Sequence, residues 1–79
     1  MADDKRVAIR KLEELLTVVR WHQGAQKAYR SEGDTAGVEL CDGLLKLDYA
    51  RIREHCAEHD LELPHDVPPG AHPAASVTD

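Results

Sequence analysis

Two long segments of helical periodicity, separated by a short break, dominate this sequence. Apolar residues recur every three or four positions over residues 7–29 and again over residues 38–56, the spacing of a helix with one buried side. The break at residues 31–35 reads Ser-Glu-Gly-Asp-Thr. Gly33 suits the left-handed residue after a helix end, and Asp34 or Thr35 can cap the next helix. The sequence therefore predicts an all-α, antiparallel helical hairpin.

The predicted domain organisation is a helical hairpin over residues 1–62 followed by a tail. Helix 1 is expected over about 4–30, capped by Asp3 or Asp4, and helix 2 over about 35–60. Residues 63–79 contain all four prolines of the 79-residue chain and few residues to bury. We expect this Pro-rich C-terminal tail to be flexible, either extended or disordered.

The apolar side of each predicted helix is wider than one neighbouring helix can cover. Each spans an arc of about 200° at 100° per residue, whereas a helix with one neighbour needs only about 100°. A hairpin supplies one neighbour, so another chain must cover the rest. The simplest closed arrangement is a homodimeric four-helix bundle. The residues expected in the core or the dimer interface are Leu12, Leu15, Leu16, Val19, His22, Leu44, Leu45, Asp48, Arg51 and Ile52.

A seam of polar residues runs inside the apolar arc of helix 2. Asp48, Arg51, His55 and His59 follow steps of three, four and four and therefore share one side of the helix. We expect Asp48 and Arg51 to form an ion pair and the histidines to complete a polar layer that fixes the register of the bundle. His22 of helix 1 is expected level with Leu44, one turn from Asp48.

The same seam allows two other roles. His55 and His59 have the i, i+4 spacing of two zinc ligands, with Glu58 as a further ligand. The His-x-x-Glu-His pattern also matches the inverted zinc-protease motif, but such an enzyme needs a cleft, a third ligand and a much longer chain. A zinc-binding helical module is therefore an alternative function. A second is a pH sensor in which His22, His55 and His59 gain charge together.

A basic stripe marks the outer side of helix 1 and consists of Arg6, Arg10, Arg20, Lys27 and Arg30. Residues 1–32 hold seven Lys and Arg against five Asp and Glu, whereas residues 33–79 hold three against ten. We expect Arg10, Arg20, Trp21 and Lys27 to form a surface that binds another protein. An RNA- or DNA-binding bundle that uses this stripe is the alternative. The net charge of −5 argues against nucleic acid, as does the lack of aromatic residues within the stripe itself, since Trp21 lies beside it.

Cysteine usage and hydropathy bear on the compartment. Cys41 and Cys56, 15 residues apart on one predicted helix, would lie about 22 Å apart, too far for a disulfide. No run of 18 apolar residues and no apolar signal segment is seen. We expect a cytoplasmic protein without a membrane span or cofactor. The predicted function is that of a small non-enzymatic protein-protein interaction module that regulates or inhibits another protein.

Overall fold

The computed structural model describes residues 2–69, which contain two helices and no strand. Helix α1 spans Ala2–Ser31 without interruption, and helix α2 spans Thr35–His59. The two helices pack against each other along their length, with Lys5 near Asp60 at one end and Tyr29 against Gly37 at the other. The prediction of an all-α antiparallel hairpin is confirmed.

The helix ends follow the local chemistry of the sequence. Gly33 adopts the left-handed conformation with φ of 75°, and the Asp34 side chain accepts a hydrogen bond from the Gly37 amide at 3.0 Å. Asp60 closes α2 in the left-handed region with φ of 55°. The expectation for the first cap is wrong, because α1 already begins at Ala2. Asp3 and Asp4 lie in its first turn, where negative charge favours the helix dipole.

The core lies between the two helices, toward one side of the hairpin. Its most buried member is Ile52, with no exposed surface. The buried cluster also includes Val19 of α1 and Leu45 of α2. Among the other residues expected in the core or dimer interface, Asp48 is buried, Arg51 is exposed, and the following are partly buried: Leu12, Leu15, Leu16, His22 and Leu44.

The segment after α2 is folded back onto the helices, in contrast to the expected flexible tail. Residues 61–69, called the strap below, contain no helix or strand, yet Val67 is only 2% exposed and belongs to the same buried cluster as Ile52 and Cys56. Arg53 donates a hydrogen bond to the Pro68 carbonyl at 3.1 Å. The expectation that this segment buries little is therefore wrong for residues 63–69, because Val67 completes the core. Residues 70–79 of the predicted tail lie outside the described part.

The helices approach most closely near the turn. Gly37 is buried, and a Cβ atom at this position would overlap the ring of Tyr29. The glycine is required here by the space it leaves, since its backbone is helical. At Gly43, also within α2, an added Cβ would meet no atom within 4 Å beyond its two chain neighbours and the adjacent backbone of its own helix.

We expect Gly37→Ala to destabilise the hairpin by about 1–3 kcal/mol, because the overlap with Tyr29 exceeds the gain in helix propensity. Gly43→Ala is the matched control and should stabilise the protein by about 0.5–1 kcal/mol. Urea denaturation followed by circular dichroism, at one protein concentration, measures both changes. Equal stabilisation by the two alanines would contradict the close packing at Gly37.

Candidate functional site

One side of the hairpin is left uncovered by the rest of the chain. The strap covers the side of the hairpin on which Arg53 of α2 lies, and its Val67 enters the core from that side. On the opposite side, α1 and α2 together line shallow grooves. Continuing these groove positions in steps of three and four defines a surface shared by both helices. We call it the open face, and it comprises Val7, Lys11, Leu15, Val18 and Ala25 of α1 with Leu40, Leu44, Leu47, Arg51, Glu54, His55 and Glu58 of α2.

The half of the open face near the turn is apolar. Leu40 is 61% exposed and Leu47 is 56% exposed, although both belong to the apolar arc of α2. Leu44, Val18 and Ala25 are partly buried beside them. The hairpin alone therefore leaves this apolar surface in water, which is the usual mark of an interaction site.

The half of the open face near the free ends of the helices carries most of its charged residues, together with Val7, which is 68% exposed. A groove there is lined by Lys11, Arg51, Glu54 and Glu58, together with Leu15 and His55. The ion pairs within residues 2–69 join His22 to Asp48, Lys46 to Asp42 and His59 to Glu58. Lys11, Arg51 and Glu54 thus face one groove without an ion-pair partner in the described chain.

A buried carboxylate lies between the helices at the middle of the hairpin. Asp48 is 5% exposed, and its Oδ2 accepts a hydrogen bond from Nδ1 of His22 at 2.5 Å. The prediction of an ion pair between Asp48 and Arg51 is wrong. Asp48 pairs with His22 of α1, whereas Arg51 is exposed. His22 lies level with Asp48 and thus about one turn from its expected position beside Leu44.

The polar seam of α2 therefore has two separate parts. The Asp48 position lies about 10 Å along the helix from His55, at 1.5 Å per residue. Nε2 of His55 lies 2.8 Å from the Ala8 carbonyl oxygen. Since a carbonyl oxygen can only accept a hydrogen bond, the ring nitrogen is the donor. His55 thus links α2 to α1 near the free ends of the two helices. It does not form one polar layer with His22, so the three histidines considered for pH sensing are not a single cluster.

The histidine pair at the end of α2 has few side-chain atoms available to bind a metal. The rings of His55 and His59 lie 4.6 Å apart, tilted by 50°, and Nε2 of His59 is 3.5 Å from Glu58 Oε1. The hydrogen bond to Ala8 occupies Nε2 of His55, leaving Nδ1 as its metal-binding atom. Among residues 2–69, no three His, Cys, Asp or Glu side chains are grouped as a metal site. Zinc binding by His55, His59 and Glu58 stays a prediction.

Both cysteines are buried thiols. Neither Cys41 nor Cys56 forms a disulfide, and each is 3% exposed. Burial raises the pKa of Cys56 above its ordinary value of 9.0. Cys56 packs in the buried cluster with Ile52, and the neutral thiol is the less nucleophilic form.

The predicted partner surface lies on the outer side of α1. Arg10, Arg20 and Lys27 are exposed, and Trp21 is 73% exposed. None of the three basic residues takes part in an ion pair within residues 2–69. Trp21 follows Val18 by three positions and precedes Ala25 by four, so it borders the open face. The basic stripe and the open face meet along this edge.

Two features of the site were not identified from the sequence. The charged groove brings Lys11 and Glu54 to the same side of the hairpin, although neither residue belongs to an apolar arc. Lys11 precedes Leu15 by four positions, and Glu54 precedes Glu58 by four. This spacing, which places both members of a pair on one side of a helix, was the available signal in the sequence. The burial of Val67 had no comparable signal, because an isolated valine among prolines has no periodic pattern.

Comparison of the chain with protein-family models, with curated proteins and with solved structures finds no match. Within residues 2–69, neither helix is sufficiently long and apolar to traverse a lipid bilayer.

We expect His22→Ala to destabilise the hairpin by about 1–3 kcal/mol, because it leaves the buried Asp48 carboxylate without its hydrogen-bond donor. A double-mutant cycle with Asp48→Ala should give a coupling free energy of similar size. His59→Ala is the control, since that exposed ring should matter by less than about 0.5 kcal/mol. Additive effects of His22→Ala and Asp48→Ala in urea denaturation would show that the pair does not stabilise the fold.

Proposed function

We propose that this protein is a small non-enzymatic protein-protein interaction module that regulates or inhibits another protein. The observation that carries the proposal is the exposure of large apolar side chains on one edge and face of the hairpin: Trp21, Leu40 and Leu47 are all more than half exposed. Large apolar side chains exposed to this extent are costly in water and, where they are grouped, are typically retained for binding.

The proposal includes self-association into a homodimeric four-helix bundle through the open face. The strap covers the other side of the hairpin, so the open face is the side on which a second hairpin can pack. A second copy would give each helix a second helical neighbour, which matches the width of the apolar arcs. Association also adds buried surface to a chain whose own core is small.

The regulated partner is proposed to bind the outer side of α1. Arg10, Arg20 and Lys27 offer positive charge, and Trp21 offers a large exposed aromatic side chain. Tryptophan and arginine are enriched among the residues that dominate binding energy. This surface lies outside the apolar half of the open face, so partner binding and self-association can occur together.

Two buried thiols without a disulfide favour a reducing compartment, the cytoplasm.

We expect Leu47→Glu to convert the protein from a dimer to a monomer, because it places a charge in the apolar half of the open face. Ile9→Glu is the matched control: Ile9 is 44% exposed and lies on the side of α1 where Lys5 contacts the Asp60 carbonyl. Sedimentation velocity at tens of micromolar measures the mass of each variant. A monomeric wild-type chain would contradict the homodimer.

We expect Trp21→Ala and Arg20→Glu each to abolish capture of the partner from the native host, because they remove the aromatic and basic parts of its binding surface. Lys46→Glu is the control, since Lys46 is exposed on α2 and pairs with Asp42 at 3.2 Å. Affinity capture with mass spectrometry identifies proteins retained by the wild type and by Lys46→Glu. Titration of the purified partner should then show at least about tenfold weaker binding to the two α1 variants. Equal binding by all variants would exclude this surface.

A further inference from the structure

We propose that the two hairpins of the dimer associate in parallel, with their turns at the same end of the bundle. This inference rests on the proposed homodimer and specifies the partner that the open face fits. It follows from the uneven distribution of residues along that face: the turn end is apolar, whereas the free end carries the charged groove, with Val7 as its exposed apolar residue.

The apolar half of the open face lies at the turn end of the hairpin. Leu40, Leu44 and Leu47 follow steps of four and three along α2, and Val18 and Ala25 lie on the neighbouring side of α1. Leu40 and Leu47 retain more than half of their surface in water. Contact with a second apolar surface removes that exposure at little polar cost.

The charged half lies at the opposite end. Lys11, Arg51, Glu54 and Glu58 line one groove, and the first three have no ion-pair partner within residues 2–69. The groove therefore presents both signs of charge to anything that covers it. A second copy of the same groove is complementary to it when Lys11 of one copy faces Glu54 or Glu58 of the other.

The two possible orientations bury these halves differently. With the turns at opposite ends, Leu40 and Leu44 of one copy would cover the charged groove of the other, and charges removed from water would lack partners. With the turns at the same end, apolar residues meet apolar residues and the two grooves meet each other. The parallel arrangement satisfies both halves at once.

A parallel two-fold arrangement also produces regular helix packing. Each α2 then lies beside α1 of the second copy, and these neighbouring helices run antiparallel, as they do within the hairpin. Leu40, Leu44 and Leu47 of one copy lie at the level of Val18 and Ala25 of the other. All four neighbouring pairs of the bundle thus have the same relative direction.

Spin-label distances distinguish the orientations. Single labels are placed at Glu32→Cys in the turn, at Asp3→Cys near the free end and at Thr17→Cys in the middle of the outer side of α1. The native cysteines are each 3% exposed, so we expect the label not to reach them in the folded protein. Parallel association predicts similar intermolecular distances, below about 35 Å, at all three positions, whereas antiparallel association separates the two end labels by about 45 Å, the length of a 30-residue helix.

Charge exchange between copies provides an independent test. Lys11→Glu and Glu58→Lys should each weaken the dimer by roughly fivefold, because each places like charges opposite one another across the interface. Mixing the two variants should restore wild-type affinity, since each contact between copies then joins a glutamate to a lysine. Lys46→Glu is the control and should leave dimerisation unchanged.

The outcomes separate this inference from the proposal beneath it. End labels far apart with middle labels close, or no recovery on mixing, would overturn the parallel orientation while leaving a homodimer. No intermolecular distance at any position, together with a monomer in sedimentation, would overturn the homodimer itself. Short distances at all three positions and recovery on mixing support parallel association.

Discussion

Each helix of this protein has a single helical neighbour, and that limit governs the rest of the structure. A helix needs about 100° of apolar surface to pack against one neighbour, but α1 and α2 carry roughly twice that amount. The surplus extends to both sides of the hairpin. On one side the chain itself covers it with the strap, and Val67 enters the core beside Ile52. On the other side Leu40 and Leu47 stay exposed.

This asymmetry gives the hairpin a protected side and an available side. The strap determines which side is protected, because Val67 packs into the core there and Arg53 donates a hydrogen bond to the Pro68 carbonyl. Without it, the apolar residues around Ile52 and Cys56 would also be exposed, and the hairpin would have uncovered apolar surface on both sides. With it, the open face is the larger apolar side left uncovered by residues 2–69, and the proposed homodimer would use this side. The basic stripe and Trp21 border that face, so in the proposed dimer they would stay accessible to the proposed partner.

The His22–Asp48 pair fixes the register of the two helices near the middle of the hairpin. A carboxylate that is 5% exposed needs a donor, and a shift of either helix by one residue would separate Asp48 from His22 and leave it buried without one. The close contact of Tyr29 with Gly37 imposes the same register near the turn. The hairpin is therefore aligned by one polar and one steric contact, whereas its apolar contacts tolerate small displacements.

By itself the sequence determined the all-α hairpin, because periodicity, the Gly33 turn and the Asp34 cap are local properties of the chain. It also placed Val19, Leu45 and Ile52 on the buried sides of their helices. Only the tertiary structure decided which of several possible partners each polar residue takes. Asp48 binds His22 instead of the nearer Arg51, His55 binds the Ala8 carbonyl, and Val67 closes the core, because these contacts join residues far apart in the chain and depend on how the helices and the strap pack.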